Sequence, residues 1–83
     1  MSPQIPITVY TRPGCSKCDS AIETIERVCR EENATPAIDT INVDDDPALR
    51  SKFGHRLPVV FVDGELAFEF HVDEFGFRSM LQS

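Results

Sequence analysis

The 83 residues include no tryptophan, one tyrosine, four glycines, and only eight lysines and arginines against fourteen aspartates and glutamates. The shortage of positive charge, with a formal net charge of -6, excludes a broad nucleic-acid footprint, because phosphate binding needs a concentrated Lys/Arg surface. Long apolar runs are also missing. The best, Leu57 to Val62, falls far short of the roughly 20 residues that a membrane-spanning helix requires. The opening residues Met1-Ser2-Pro3-Gln4 carry neither the basic stretch nor the apolar core of a secretory signal. No internal repeat, low-complexity tract or dividing linker is present. The expectation from these absences is one small cytoplasmic domain spanning residues 1–83, monomeric, with no membrane or nucleic-acid partner. A hydrophobic fraction of 41% and six phenylalanines still allow a modest core.

Cysteine is scarce as well, at three residues. An odd count without an export signal does not describe a disulfide-stapled scaffold. In a reducing compartment such thiols are catalytic, metal-binding or buried. Two of them form Cys15-Ser16-Lys17-Cys18.

The elements around that pair are readable. Ile5 to Tyr10 is apolar and β-branched and predicts a buried strand, which Thr11-Arg12-Pro13-Gly14 breaks with turn residues. From Ser16 to Glu32 the residues Ala21, Ile22, Ile25, Val28 and Cys29 recur at helical spacing, with charge on the other side. Asn33 to Pro36 ends this helix, and Ala37 to Val43 predicts a strand whose Asp and Asn suggest a sheet edge. Asp46 and Pro47 read as N-cap and first residue of a short helix carrying Leu49 and Phe53, which Gly54 stops. The run Asp44-Asp45-Asp46 therefore has a capping explanation that competes with a metal site. Leu57 to Val62 predicts a third strand, Asp63-Gly64 a hairpin turn, and Glu65 to His71 a returning strand with Leu66, Phe68 and Phe70 inward. Asp73 then caps a last helix containing Phe75, Phe77, Met80 and Leu81. The order β-α-β-α-β-β-α implies a parallel βαβ unit followed by an antiparallel hairpin in the same sheet.

A Cys-x-x-Cys between a buried strand and an amphipathic helix sets its first cysteine at the helix N-terminus. Unpaired N–H groups and the positive dipole end there favour a thiolate, and such cysteines have pKa values of roughly 3.5–7.5 against about 8.5 for a free thiol. Cys15 is thus the candidate nucleophile and Cys18, one helical turn on, the candidate resolving thiol. Arg12 and Lys17 add local positive charge that favours the thiolate and attracts an anionic thiol substrate. Against this stand a zinc site and an inert pair. Two cysteines supply half of a structural zinc site, and His55 and His71 lack the close ligand spacing to complete it. Cys29 sits on the apolar stripe and reads as a core residue before it reads as a regulatory thiol. Pro58 cannot donate a ladder bond, so it is either a trans proline opening a strand or a cis proline that exposes the Leu57 backbone to an extended substrate.

Tyr10-Thr11-Arg12-Pro13-Gly14-Cys15-Ser16-Lys17-Cys18 resembles the active-site segment of glutaredoxins, and Leu57-Pro58-Val59-Val60-Phe61-Val62-Asp63-Gly64 resembles their cis-proline segment and hairpin. Nearly the whole chain follows this pattern, closest to the small bacterial glutaredoxin-like proteins. The resemblance implies an α/β thioredoxin fold, a four-stranded mixed sheet flanked by three helices, and thiol-disulfide exchange on protein or low-molecular-weight mixed disulfides. It implies no tightly bound cofactor or metal, glutathione as a co-substrate, and glutathione or thioredoxin reductase as upstream reductant. It also implies a cis peptide before Pro58 and substrate contacts from Arg12, Lys17, Leu57, Pro58 and Asp73. Two departures stand out: Ser16-Lys17 replaces the usual aromatic between the cysteines, and the stretch Ala67-Phe68-Glu69-Phe70-His71-Val72-Asp73-Glu74 has no Gly-Gly pair before the last helix, only Asp73 corresponding to the acidic residue that follows it. Alternatives of other classes are an iron–sulfur or metal carrier using the Cys15 thiolate and a non-catalytic interaction module.

Overall fold

A computed structural model describes residues 4–82. Its elements are β1 (Gln4–Thr11), α1 (Ser16–Glu31), β2 (Thr35–Asn42), a 3-10 turn at Val43–Asp45, α2 (Pro47–Phe53), β3 (Val59–Val62), β4 (Glu65–Glu69) and α3 (Glu74–Gln82). The sheet runs β2-β1-β3-β4, with β1 parallel to β2 and antiparallel to β3, and β4 antiparallel to β3. This is the four-stranded mixed sheet with three helices that the thioredoxin fold requires. Among the described residues no helix is long and apolar enough to cross a membrane.

Strand alternation sends side chains to two cores. Ile7 and Val9 of β1 and Val60 and Val62 of β3 join Ala21, Ile25, Val28 and Cys29 of α1 and Phe77 of α3 in the larger one. On the other face, Tyr10 and Phe61 pack with Val43, Phe53 and Val59 under α2. Ring centroids there lie 4.4 Å apart for Tyr10–Phe53 and 5.8 Å for Tyr10–Phe61. Both cores are anchored by β1 and β3, the two central strands, so the ends of these strands are the best-supported places in the fold.

Several predicted boundaries shift. Glu32 is the C-cap of α1 rather than its last residue. β2 begins at Thr35, two residues before the predicted start, and takes in Pro36. An edge strand tolerates this proline because one side has no ladder partner to lose. Val43 leaves the strand and, fully buried, starts the 3-10 turn. Asp46 does cap α2, its carboxylate accepting from the Ala48 N–H at 2.9 Å, and Gly54 is its C-cap in the right-handed region. β3 starts at Val59, leaving Leu57 and Pro58 outside the ladder. β4 is shorter than predicted, and the inward placement of Leu66 and Phe70 is overturned. Val60 pairs with Phe68 but Phe61 pairs with Leu66, so Ala67 is an extra residue that breaks the alternation. Phe68 keeps to the large core, against Phe77, whereas Leu66 is 51% exposed. Phe70 lies past the strand and is 49% exposed. Asp73 takes the N-cap place of α3 through its carbonyl, which accepts from Phe77 at 2.9 Å.

An ion cluster ties the end of α1 to α3. The Arg78 guanidinium reaches Glu31, Glu32 and Glu74, and Arg27 also pairs with Glu74 at 2.6 Å. Hydrogen bonds from Gln82 and Arg78 lower the Glu32 pKa, and those from Arg27 and Arg78 lower that of Glu74. Carboxylates acidified in the folded state stabilise it above their ordinary pKa of 4.5, and that contribution is lost as pH falls through and below this value. Arg78→Ala is therefore expected to lower the melting temperature at neutral pH and to make its decline on acidification shallower than in the parent; parallel pH curves would contradict this assignment. Phe77, fully buried where α3 meets the sheet, is expected to cost about 3–5 kcal/mol on truncation to alanine, measured by urea unfolding.

Candidate active site

The chain leaves the central strand β1 through Arg12-Pro13-Gly14-Cys15. The Cys15 N–H donates to the Arg12 carbonyl at 3.3 Å, closing a four-residue turn. Proline presets the second position of such a turn, and the third requires positive φ, which Gly14 supplies at 78°. The turn delivers Cys15 in extended conformation (φ -87°, ψ 99°) to the N-cap of α1, where its Sγ accepts the Cys18 N–H at 3.2 Å. A thiol thus occupies the position normally held by a Ser, Thr or Asp oxygen. The Asp19 N–H then donates to the Cys15 carbonyl, the first turn of the helix.

Cys15 and Cys18 are joined in a disulfide, with Cα atoms 5.3 Å apart. The two sulfurs are not equivalent. Cys18 is fully buried, whereas Cys15 is partly open. The N–H of Cys18 and the positive end of a sixteen-residue helix both face the Cys15 sulfur, an arrangement suited to holding an anion. Cys29 offers the contrast: it lies in the large core, fully buried, and desolvation pushes its pKa up, as befits an inert thiol.

Arg12 has partners other than those its sequence position suggests. Its guanidinium donates to the Gly54 carbonyl and to Asp44 Oδ1, each at 3.1 Å. Its charge is shared with Asp44, and it fastens the Cys15 turn to the end of α2. Asp44 is spent on this pair, and its own N–H donates to Asn42 Oδ1 at 2.9 Å. With Asp46 capping α2, the acidic run has the structural role expected of it. Among the described residues no group of three or more His, Cys, Asp or Glu is arranged to hold a metal ion.

The Leu57-Pro58 peptide is cis. β1 and β3 pair Tyr10 with Val59, so one step further the same register sets Pro58 beside Thr11, at the sheet end from which the Cys15 turn departs. No described residue takes the backbone N–H or C=O of Leu57. The Pro58 carbonyl accepts the Phe70 N–H at 3.0 Å, which brings the segment before α3 to the same end of the sheet. A groove of about 380 Å³ runs between that segment and α1, with Lys17 on one wall and His71 on the other. Asp73 follows two residues later at the head of α3, while His55 lies exposed in the loop before Leu57. No sequence motif marks His71. Its place in the groove depends on how the chain turns after β4, which no local pattern encodes.

The comparisons with known proteins agree with this geometry. The family model described as "Glutaredoxin-like domain (DUF836)" matches residues 6–82. An uncharacterized protein of Mycobacterium tuberculosis is 34% identical over 76 residues, covering 88% of this chain and 78% of that one. The "Glutaredoxin-like protein YDR286C homolog" of Dictyostelium discoideum is 35% identical over 74 residues, covering 84% and 68%. Among solved structures, the crystal structure of target protein XcR50 from X. campestris has a TM-score of 0.70 at 30% identity, covering 92% of this chain and 95% of that one. A mutant thioredoxin of Halobacterium salinarum has a TM-score of 0.57 at 25% identity, covering 94% and 72%. With its cysteine pair at the head of the first helix of this fold, the chain belongs to the glutaredoxin-like (DUF836) family of the thioredoxin superfamily.

Proposed function

We propose that the protein is a thiol-disulfide oxidoreductase that reduces protein or low-molecular-weight mixed disulfides through Cys15 and Cys18. The observation that carries this reading is the cap: the Cys15 sulfur accepts the Cys18 N–H at 3.2 Å, while Cys18 itself is buried. One sulfur is thereby activated and open, and the other waits within bonding distance.

The exchange proceeds in two displacements. The Cys15 thiolate attacks one sulfur of the substrate disulfide, forming a mixed disulfide and releasing the other substrate sulfur as a thiolate, which takes a proton from water. Cys18 then loses its proton and attacks the Cys15 sulfur, releasing the second substrate thiolate and closing the Cys15–Cys18 bond. The substrate gains two electrons and the dithiol loses two. An upstream thiol or dithiol reductant, glutathione or thioredoxin reductase, returns the pair to the reduced form. The unpaired backbone of Leu57, beside Pro58, offers an N–H and a C=O to an extended substrate strand. Lys17 and the head of α3 at Asp73 contribute the remaining substrate contacts. Arg12 acts mainly by holding the Cys15 turn.

Cys15→Ser is expected to abolish reduction of a small mixed disulfide, followed as NADPH consumption with glutathione and glutathione reductase or with thioredoxin reductase. Cys18→Ser is expected to accumulate a substrate adduct on Cys15, read by mass spectrometry without reductant. Undiminished turnover in Cys15→Ser would overturn the assignment of the nucleophile.

A further inference from the structure

The groove beside the cysteine pair is lined from two sides. One wall is a single face of α1, with Ser16, Ser20 and Thr24 at spacings of four and Lys17 next to them. The other wall is the stretch after β4, with Phe70 and His71. No carboxylate contributes to either wall, although the chain carries fourteen Asp and Glu and a net charge of -6. Of the neighbouring acids, Glu69 is paired with Arg56 at 2.7 Å and Glu74 with Arg27 at 2.6 Å, while Asp19, Glu23 and Asp73 adjoin the groove in sequence without lining it.

The groove's polar groups are also unused. Arg12, Arg27, Arg56 and Arg78 all donate to carboxylates, yet the side chains of Ser16, Lys17, Ser20, Thr24 and His71 have no partner among the described residues. An ammonium, an imidazole and three hydroxyls thus offer a row of donors along one trench that starts at the residue after Cys15. Phe70 closes the row with an exposed ring. Its backbone stands at φ 70°, a left-handed conformation that a non-glycine residue rarely adopts. It is held there by its N–H, which donates to the carbonyls of both Arg56 and Pro58. A half-exposed aromatic fixed in that conformation and tied to Pro58 is a feature that core packing does not require.

We infer that this groove docks the segment of a protein disulfide substrate that carries acidic residues next to its reactive cysteine, with carboxylates on the Lys17 and hydroxyl row and an apolar side chain against Phe70. The inference rests on the reading of Cys15 as the nucleophile and adds to it the class of substrate. A volume of about 380 Å³ suits two or three side chains of an extended peptide. The sign of the preference is informative, because the whole molecule is acidic and its long-range field favours a basic substrate. Only the local groove predicts the opposite.

The test uses two cystine-linked peptides of equal length, identical except for Glu or Lys at the two positions flanking the cysteine, together with a neutral small disulfide. Turnover of the acidic peptide is expected to exceed that of the basic one by about tenfold in kcat/KM at low salt, and the ratio is expected to shrink toward one as salt is raised. In Lys17→Gln the ratio is expected to fall by about threefold, and in Phe70→Gly turnover of both peptides should fall relative to the small disulfide. Because each ratio is taken within one protein, a variant's overall activity does not enter it. A ratio at or below one in the parent protein, with the small disulfide turned over normally, would overturn the docking inference and leave the redox reading standing. Absence of turnover on all three disulfides would overturn the redox reading itself. A preference for the neutral small disulfide over both peptides would likewise refute a protein substrate for this groove.

Discussion

Everything at the candidate site depends on one short-range interaction, the hydrogen bond from the Cys18 N–H to the Cys15 sulfur at the head of α1. It exists because β1, paired on both sides, ends in a proline-glycine turn of fixed geometry, so the chain has one way to enter the helix. Arg12 reinforces this by tying the turn to Gly54 and Asp44 on the opposite side of the sheet end. A helix N-terminus needs an acceptor. Here the acceptor is a sulfur, and in the proposed exchange the same N–H groups favour its thiolate, so that structural capping and chemical activation would be one interaction.

The supporting frame divides the labour. The large core between the sheet and the α1/α3 layer fixes α1 along its length, through Ile25, Val28 and Phe77 in particular. The ion cluster around Arg78 and Glu74 then sets α3, and with it the segment that forms the outer wall of the groove, against the far end of α1. On the other face, Tyr10, Phe53 and Phe61 fasten α2 where Arg12 finds its partners. The site thus lies where three independently anchored segments converge: the Cys15 turn, the Leu57-Pro58 segment and the chain entering α3.

What the sequence disclosed, it disclosed where local chemistry decides. The Pro13-Gly14-Cys15 turn, the Asp46 cap with Pro47 behind it, and the apolar stripe of α1 follow from residue type and spacing alone, and all stand in the structure. The exposure of Leu66 was not legible, because the extra residue Ala67 resets the alternation of β4 and nothing in its side chain signals a bulge, and that of Phe70 was not because β4 ends before it, at Glu69. The same holds for Val43, which looks like a strand residue and becomes the buried start of a 3-10 turn. Arg12 was readable as a cation near Cys15, but its partners lie 32 and 42 residues away and depend on tertiary arrangement. His71 is the corresponding case for the groove.

On the proposed reading, the cap makes Cys15 an acidic thiol. Titrating the reduced Cys18→Ser protein by the ultraviolet absorbance of the thiolate measures this, since the backbone N–H that caps the sulfur is retained and the buried Cys29 is shielded. The pKa of Cys15 is expected well below the roughly 8.5 of a free thiol. A value at or above that of a free thiol would show that the cap does not activate Cys15.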